Sequence, residues 1–223
     1  MESSLPKDYV VLIHGLGRSR RSLFGMQYWL RRAGYRVVNV GYPSMRVSVA
    51  DAVRDWLQPA LDALVLTPGI RVHFVTHSLG GIVFRKWAAE RNAHFPLGRT
   101  VMLAPPNQGS EVMDHIGHHQ WVRLILGPVV MELQTNANSM PRRLGPVPAQ
   151  TAVIMGNRPK IHLFHHLLGR ESDGIVSVAS GRVEGQEDFL VLPADHTFIM
   201  WFPLVLRAVK SFLLSGSLRA SIL

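Results

Sequence analysis

The chain has 223 residues, 47% hydrophobic and 17% charged, with 24 Lys or Arg, 15 Asp or Glu and no cysteine. This length fits one domain, read here as 1–223, and excludes neither a core nor a modest insertion; the composition excludes collagen, coiled coil and wholesale disorder. Without cysteine there is no disulfide framework, no thiolate metal site and no cysteine nucleophile.

The net charge of +9 falls mainly in the first 100 residues, and 20 of the 24 basic residues are Arg. Such a surface attracts nucleic acid, anionic lipid or anionic substrates. The basic residues are scattered through apolar periodic segments and form no nucleic-acid-binding motif, so no nucleic-acid partner is expected. No basic region followed by an apolar stretch opens the chain, and the longest apolar run, Phe198–Leu206, is too short to span a bilayer. A cytoplasmic location is the default expectation, with peripheral membrane contact left open.

Along the chain, short β-rich runs alternate with helical patterns. Tyr9–Ile13 (YVVLI) reads as a strand buried on both faces, Leu23–Ala33 as a helix ending at Gly34, and Arg36–Val40 as a second strand. Val47–Leu64 follows as a helix with apolar positions at Val49, Val53, Trp56, Ala60 and Leu64. Arg71–Val75 and Arg99–Leu103 read as strands around a helix over Leu79–Glu90. Residues 105–150 break the rhythm with Gly and Pro at both ends and one amphipathic stretch, Gln120–Leu133. Order resumes with strands at Thr151–Met155 and Phe189–Leu192 and a last helix over Thr197–Leu214. The pattern predicts an α/β fold: a doubly wound, mainly parallel sheet of about six strands with helices on both faces.

In such a sheet, ligands gather at the carboxyl ends of the strands. The third strand runs into Thr76-His77-Ser78-Leu79-Gly80-Gly81 and then directly into a helix. This is a G-x-S-x-G turn with Thr at its first position, which holds a serine hydroxyl above the sheet. Ser78 is therefore the candidate nucleophile, a helix N-cap being the plainer role. The backbone N–H of Leu79 would face an oxyanion, and β-branched Thr76 would widen the turn. The first strand ends in His14-Gly15-Leu16-Gly17, whose Leu16 N–H would supply a second oxyanion donor. His14 itself reads as a structural group holding that loop. A phosphate loop fits poorly, because G-x-x-x-x-G-K-[ST] is absent.

These pieces resemble the α/β-hydrolase superfamily, specifically the small lipase and esterase branch that includes minimal bacterial triacylglycerol lipases and GPI inositol-deacylase-like proteins. The resemblance rests on HGLG at 14–17, HSLGG at 77–81, LAPPNQGS at 103–110, DGIVSV at 173–178 and DHTF at 195–198, in that family's order. It implies a minimal version of the fold without the family's first two strands. It also implies that His196, after the last strand, is the base. His77 is expected to point away from Ser78, and the trios His115, His118, His119 and His162, His165, His166 read as solvated loop histidines rather than metal ligands. For the acid it implies Asp173, in the D-G-x-V turn, with Asp195 as rival; Glu187 and Asp188 mark a turn before the last strand.

A triad of Ser78, Asp173 and His196 with two backbone donors performs acyl transfer and needs no metal or organic cofactor. The expected activity is hydrolysis of carboxylic esters by an esterase or lipase. An acyltransferase, a phospholipase and a non-catalytic binding protein of the same fold are the alternatives. Trp121, Leu124 and Ile125 in the insertion, with Phe198, are the candidate substrate-binding residues; ordinary helix packing is the other reading. Arg18, Arg20 and Arg21, just past the oxyanion loop, point to anionic substrates or an anionic membrane surface, although an Arg-rich composition accounts for them equally.

Overall fold

The computed structural model describes residues 8–160, 163–169 and 171–220. His162 lies outside them, as does the side chain of His165. Six strands, β1 (Tyr9–Ile13), β2 (Arg36–Val40), β3 (Val72–His77), β4 (Leu97–Leu103), β5 (Thr151–Gly156) and β6 (Asp188–Leu192), form one sheet in the order β2-β1-β3-β4-β5-β6. Every pairing is parallel, as expected for strands joined by helical crossovers.

Alternation along β1 explains its unbroken apolar run. Val10 and Leu12 enter one core cluster, with Met26, Leu30, Val209 and Phe212. Val11 and Ile13 enter a second on the opposite face, with Leu57, Phe74, Ile82 and Phe84. Both faces are covered, so no polar residue alternates in.

From β1 the chain crosses to β2 on one side, and β3 pairs with β1 on the other. The reversal opens a crevice between the carboxyl ends of β1 and β3, where a doubly wound sheet takes its ligand. The loop after Ile13 and the turn after His77 both empty into it.

The helices depart from expectation in three places. The second predicted helix covers residues 49–62, capped by Ser48 Oγ accepting from Asp51 N–H at 3.1 Å, and widens into a π turn over Val53–Leu57. Pro59 follows within the run and has no N–H to continue the ladder back to Asp55. Within 105–150 there are four short helices, over Glu111–Ile116, Gln120–Leu126, Val129–Glu132 and Met140–Arg143. The predicted stretch Gln120–Leu133 is broken at Gly127, with φ +80°, followed by Pro128. The last helix is Pro203–Ser215, and only a 3-10 turn over Ile199–Trp201 precedes it. Pro203 opens it as the first helical residue and keeps Phe202 extended, at φ −71° and ψ 124°.

Among the described residues, no helix is long and apolar enough to cross a membrane.

Candidate active site

Strand β3 is buried along its whole length, and Ser78 follows it at φ 52° and ψ −123°. A non-glycine residue there stores backbone strain, which persists only where the surroundings enforce it. Ser78 N–H donates to Leu103 O at 2.9 Å, and Gly81 N–H donates to Ser78 O at 2.8 Å. The helix Leu79–Glu90 then passes so close to β1 that a Cβ on Gly80 would lie 2.3 Å from Ile13 O. Thr76 is fully buried beside this crossing. A Cβ on Gly81 would stand 2.7 Å from Met102 Cε and 3.0 Å from Pro105 Cβ, so this position too is held to glycine by its neighbours.

Ser78 Oγ lies 3.0 Å from His196 Nε2. His196 Nδ1 lies 2.7 Å from Asp173 Oδ2. Because a carboxylate only accepts, this contact places the His196 proton on Nδ1 and leaves Nε2 as an acceptor toward the serine. The other carboxylate oxygen, Asp173 Oδ1, accepts from the N–H groups of Ile175 at 3.0 Å and Val176 at 2.8 Å. Asp173 and His196 are both buried. His196 N–H donates to Asp173 O at 3.0 Å, tying the two residues by main chain as well as side chain.

Asp195 is elsewhere. Its Oδ1 accepts from the N–H groups of Thr197 and Phe198, at 3.0 and 3.2 Å, and its Oδ2 lies 3.6 Å from Lys160 Nζ. It shapes the turn that presents His196. Asp188 opens β6 and accepts from Leu218 N–H and from Arg219.

The loop after β1 presses on the serine. A Cβ on Gly15 would come within 2.9 Å of Ser78 Cβ. Neither the Leu16 N–H nor the Leu79 N–H donates to an acceptor among the described residues. His14 holds this loop: Nδ1 donates to Gly15 O at 3.0 Å, and Nε2 accepts from Tyr42 N–H at 3.3 Å. Tyr42 stacks on the His14 ring at 4.5 Å and donates to His14 O at 2.9 Å, while Ser44 Oγ accepts from Gly17 N–H at 3.1 Å. Burial lowers the pKa of His14, as a neutral bridging imidazole requires.

His77 does not bond to Ser78. It is buried beside His196 and donates from Nε2 to His196 O at 3.0 Å. Burial, followed by the neighbouring His196, holds its pKa well below 6.5.

A cleft of about 230 Å³ opens over Ser78 and His196. Its apolar walls include Leu16, Pro106, Met113, Leu126, Leu133 and Ile175. Trp121, Leu124 and Ile125 are not among its walls and stand exposed, Leu124 by 85%. In the helix Gln120–Leu126 it is Val122 and Leu126, four residues apart, that turn inward. The sequence carries two apolar stripes on this helix, and the expected one is the outer. Phe198 borders an adjoining cleft of about 480 Å³ that shares Ile175, His196 and Thr197 with the first. Sequence reasoning missed Tyr42, Ser44 and Met113, whereas Leu126 and Leu133 lie in the amphipathic stretch it singled out; for Tyr42 and Ser44 the signal was their place just beyond the carboxyl end of β2.

The rings of His118 and His119 lie 3.9 Å apart and those of His115 and His166 6.0 Å apart. No group of three or more His, Asp or Glu among the described residues is arranged to hold a metal ion.

Residues 10–213 match the profile of the alpha/beta hydrolase family, and the chain belongs to that family. The mature lipase BlEst2 of Bacillus licheniformis is similar in fold, with a TM-score of 0.66 at 23% identity over 90% of this chain and 89% of that one. A metagenomic carboxyl esterase, MGS0156, gives a TM-score of 0.66 at 17% identity, over 87% of this chain and 68% of that one. Phospholipase PlaB of Legionella pneumophila gives 0.64 at 23% identity, over 79% of this chain but 46% of that longer one. No curated protein matches the chain in sequence.

Proposed function

We propose that this hydrolase-family protein cleaves carboxylic esters, as an esterase or lipase, with Ser78 as nucleophile, His196 as base and Asp173 as the acid that orients it. The observation that carries this reading is the continuous relay Ser78–His196–Asp173, with contacts of 3.0 and 2.7 Å.

In this mechanism Ser78 Oγ attacks the ester carbonyl while its proton passes to His196 Nε2. Asp173 stabilises the imidazolium without taking its proton. The carbonyl oxygen becomes an oxyanion that accepts from the free N–H groups of Leu16 and Leu79. His196 then gives its proton to the departing alcohol oxygen as the C–O bond breaks, leaving an acyl-serine. Water, deprotonated by His196, releases the carboxylic acid and restores Ser78. The chain's own groups supply every proton transfer.

The apolar walls around Ser78 suit an acyl chain. The segment 105–150, which carries Pro106, Met113, Leu126 and Leu133, acts as the substrate-selecting part of the chain. A distant resemblance to a lipase, a carboxyl esterase and a phospholipase supports small esters or lipids as substrates.

An alkyl fluorophosphonate tests the nucleophile. The reading predicts one covalent adduct, located on Ser78 by peptide mass spectrometry and absent from Ser78→Ala. A folded protein that takes no adduct, or takes it elsewhere, overturns it.

A further inference from the structure

The cleft over Ser78 is largely apolar; besides Ser78, His77 and His196 its polar lining is Ser110, Thr197 and one formally charged side chain, Arg18. Its Nη2 donates to Thr197 O at a long 3.3 Å. No Asp or Glu among the described residues pairs with it. Arg20 and Arg21, its neighbours in sequence, are exposed and do not line the cleft. The guanidinium therefore borders the reacting atoms with most of its five donors free and no counter-ion.

An anion entering this cleft meets a fork of donors beside low-dielectric walls, where charge-assisted hydrogen bonds are stronger than in water. The position is also directional. Arg18 reaches to Thr197, the residue after His196, and so stands on the base's side of the serine. The leaving alcohol must depart on that side, because His196 Nε2 returns the proton to its oxygen.

Resting on the proposed ester hydrolysis, we infer that the site selects esters whose alcohol part carries an anionic group, a phosphate, sulfate or carboxylate. Arg18 is the residue that reads this group, and the acyl chain takes the apolar walls. The anion stays on the released alcohol and takes no part in bond making.

The test uses two soluble esters that differ only in the anion, monooctanoylglycerol and monooctanoylglycerol phosphate, followed by octanoate release. The inference predicts that wild type prefers the phosphate in kcat/KM. It predicts that Arg18→Gln reduces the phosphate-to-neutral ratio about tenfold or more, and that Arg18→Lys keeps part of it. Arg20→Gln and Arg21→Gln remove the same charge outside the cleft and should leave the ratio in place. Labelling by the uncharged fluorophosphonate, run in parallel, reports whether each variant is folded with an active serine.

A ratio unchanged in Arg18→Gln overturns the inference. So does a preference seen only on vesicles, phosphatidylglycerol over phosphatidylcholine, with none in the soluble pair; that result assigns the basic charge to membrane attraction. Turnover of neither ester overturns it too. In that case, retained Ser78 labelling spares the serine-hydrolase reading, and lost labelling ends both.

Discussion

His77 donates its Nε2–H to the main-chain oxygen of His196 at 3.0 Å, so the residue before the serine holds the backbone of the histidine that faces the serine. A carbonyl only accepts, which fixes the His77 proton on Nε2. Burial first, and the neighbouring His196 second, lower its pKa and favour the neutral ring. His77→Leu removes the tether while keeping the volume filled. We expect kcat to fall about tenfold to a hundredfold with KM little changed, as for a misplaced catalytic group. His77→Gln, which can still donate, should recover part of the loss. Equal kcat in His77→Leu and wild type contradicts a positioning role.

Asp173 and Asp195 are separable by the same isosteric change. Asp173→Asn offers His196 Nδ1 an amide in place of a carboxylate and favours the wrong tautomer, with an expected loss of about three to four orders of magnitude in kcat. Among the described residues, Asp195 pairs with the backbone N–H groups of Thr197 and Phe198 and with Lys160, so Asp195→Asn should cost far less. Steady-state ester kinetics on the two variants check the assignment, and the reverse ranking contradicts it.

Arg85 is 4% exposed and has no carboxylate partner among the described residues. It donates instead to Asn107 O and Oδ1, Pro141 O and Gly145 O, at 2.7–3.2 Å. Burial lowers its pKa to about 10, which still leaves it charged at neutral pH. One cation thus gathers three points of the segment that walls the cleft. Arg85→Leu leaves those neutral acceptors unpaired, and urea unfolding should show a loss of roughly 2–4 kcal/mol. A loss below about 1 kcal/mol would show that the segment holds its shape without the guanidinium.

Burial lowers the pKa of His14, His73 and His77 below 6.5 in the folded protein. Unfolding frees the rings, so below that value the unfolded chain binds more protons than the native one. The stability tied to these three rings is full above about pH 6.5 and is lost as pH falls from there toward the folded values. The urea midpoint should drop between about pH 7.5 and pH 5.5, and drop less in His73→Gln. A midpoint that holds or rises on acidification contradicts this.

The sequence made the sheet legible because buried parallel strands are short apolar runs, and YVVLI, RVVNV and TAVIM have no helical period. Ser78 was legible for a related reason: strand, serine, two glycines and helix are adjacent in the chain, and Gly80 is needed where a Cβ would strike Ile13 O. Asp173 and His196 were not legible from spacing. They meet across a loop of irregular structure, and only the family's order of motifs singled them out. The cleft walls were harder still. Trp121, Leu124 and Ile125 have the helical spacing of a buried face, yet the fold buries Val122 and Leu126 instead. Local periodicity cannot say which of two apolar stripes meets the core. Pro203 did mark its boundary, since it moves the start of the last helix six residues past Thr197.

The most direct test of the account is hydrolysis of p-nitrophenyl esters, from acetyl to palmitoyl, by wild type and by Ser78→Ala. The account predicts turnover by wild type, with the best chain length reporting how far the apolar cleft extends, and a loss of several orders of magnitude in Ser78→Ala. Equal rates for the two proteins, with both folded, would contradict a serine nucleophile at position 78.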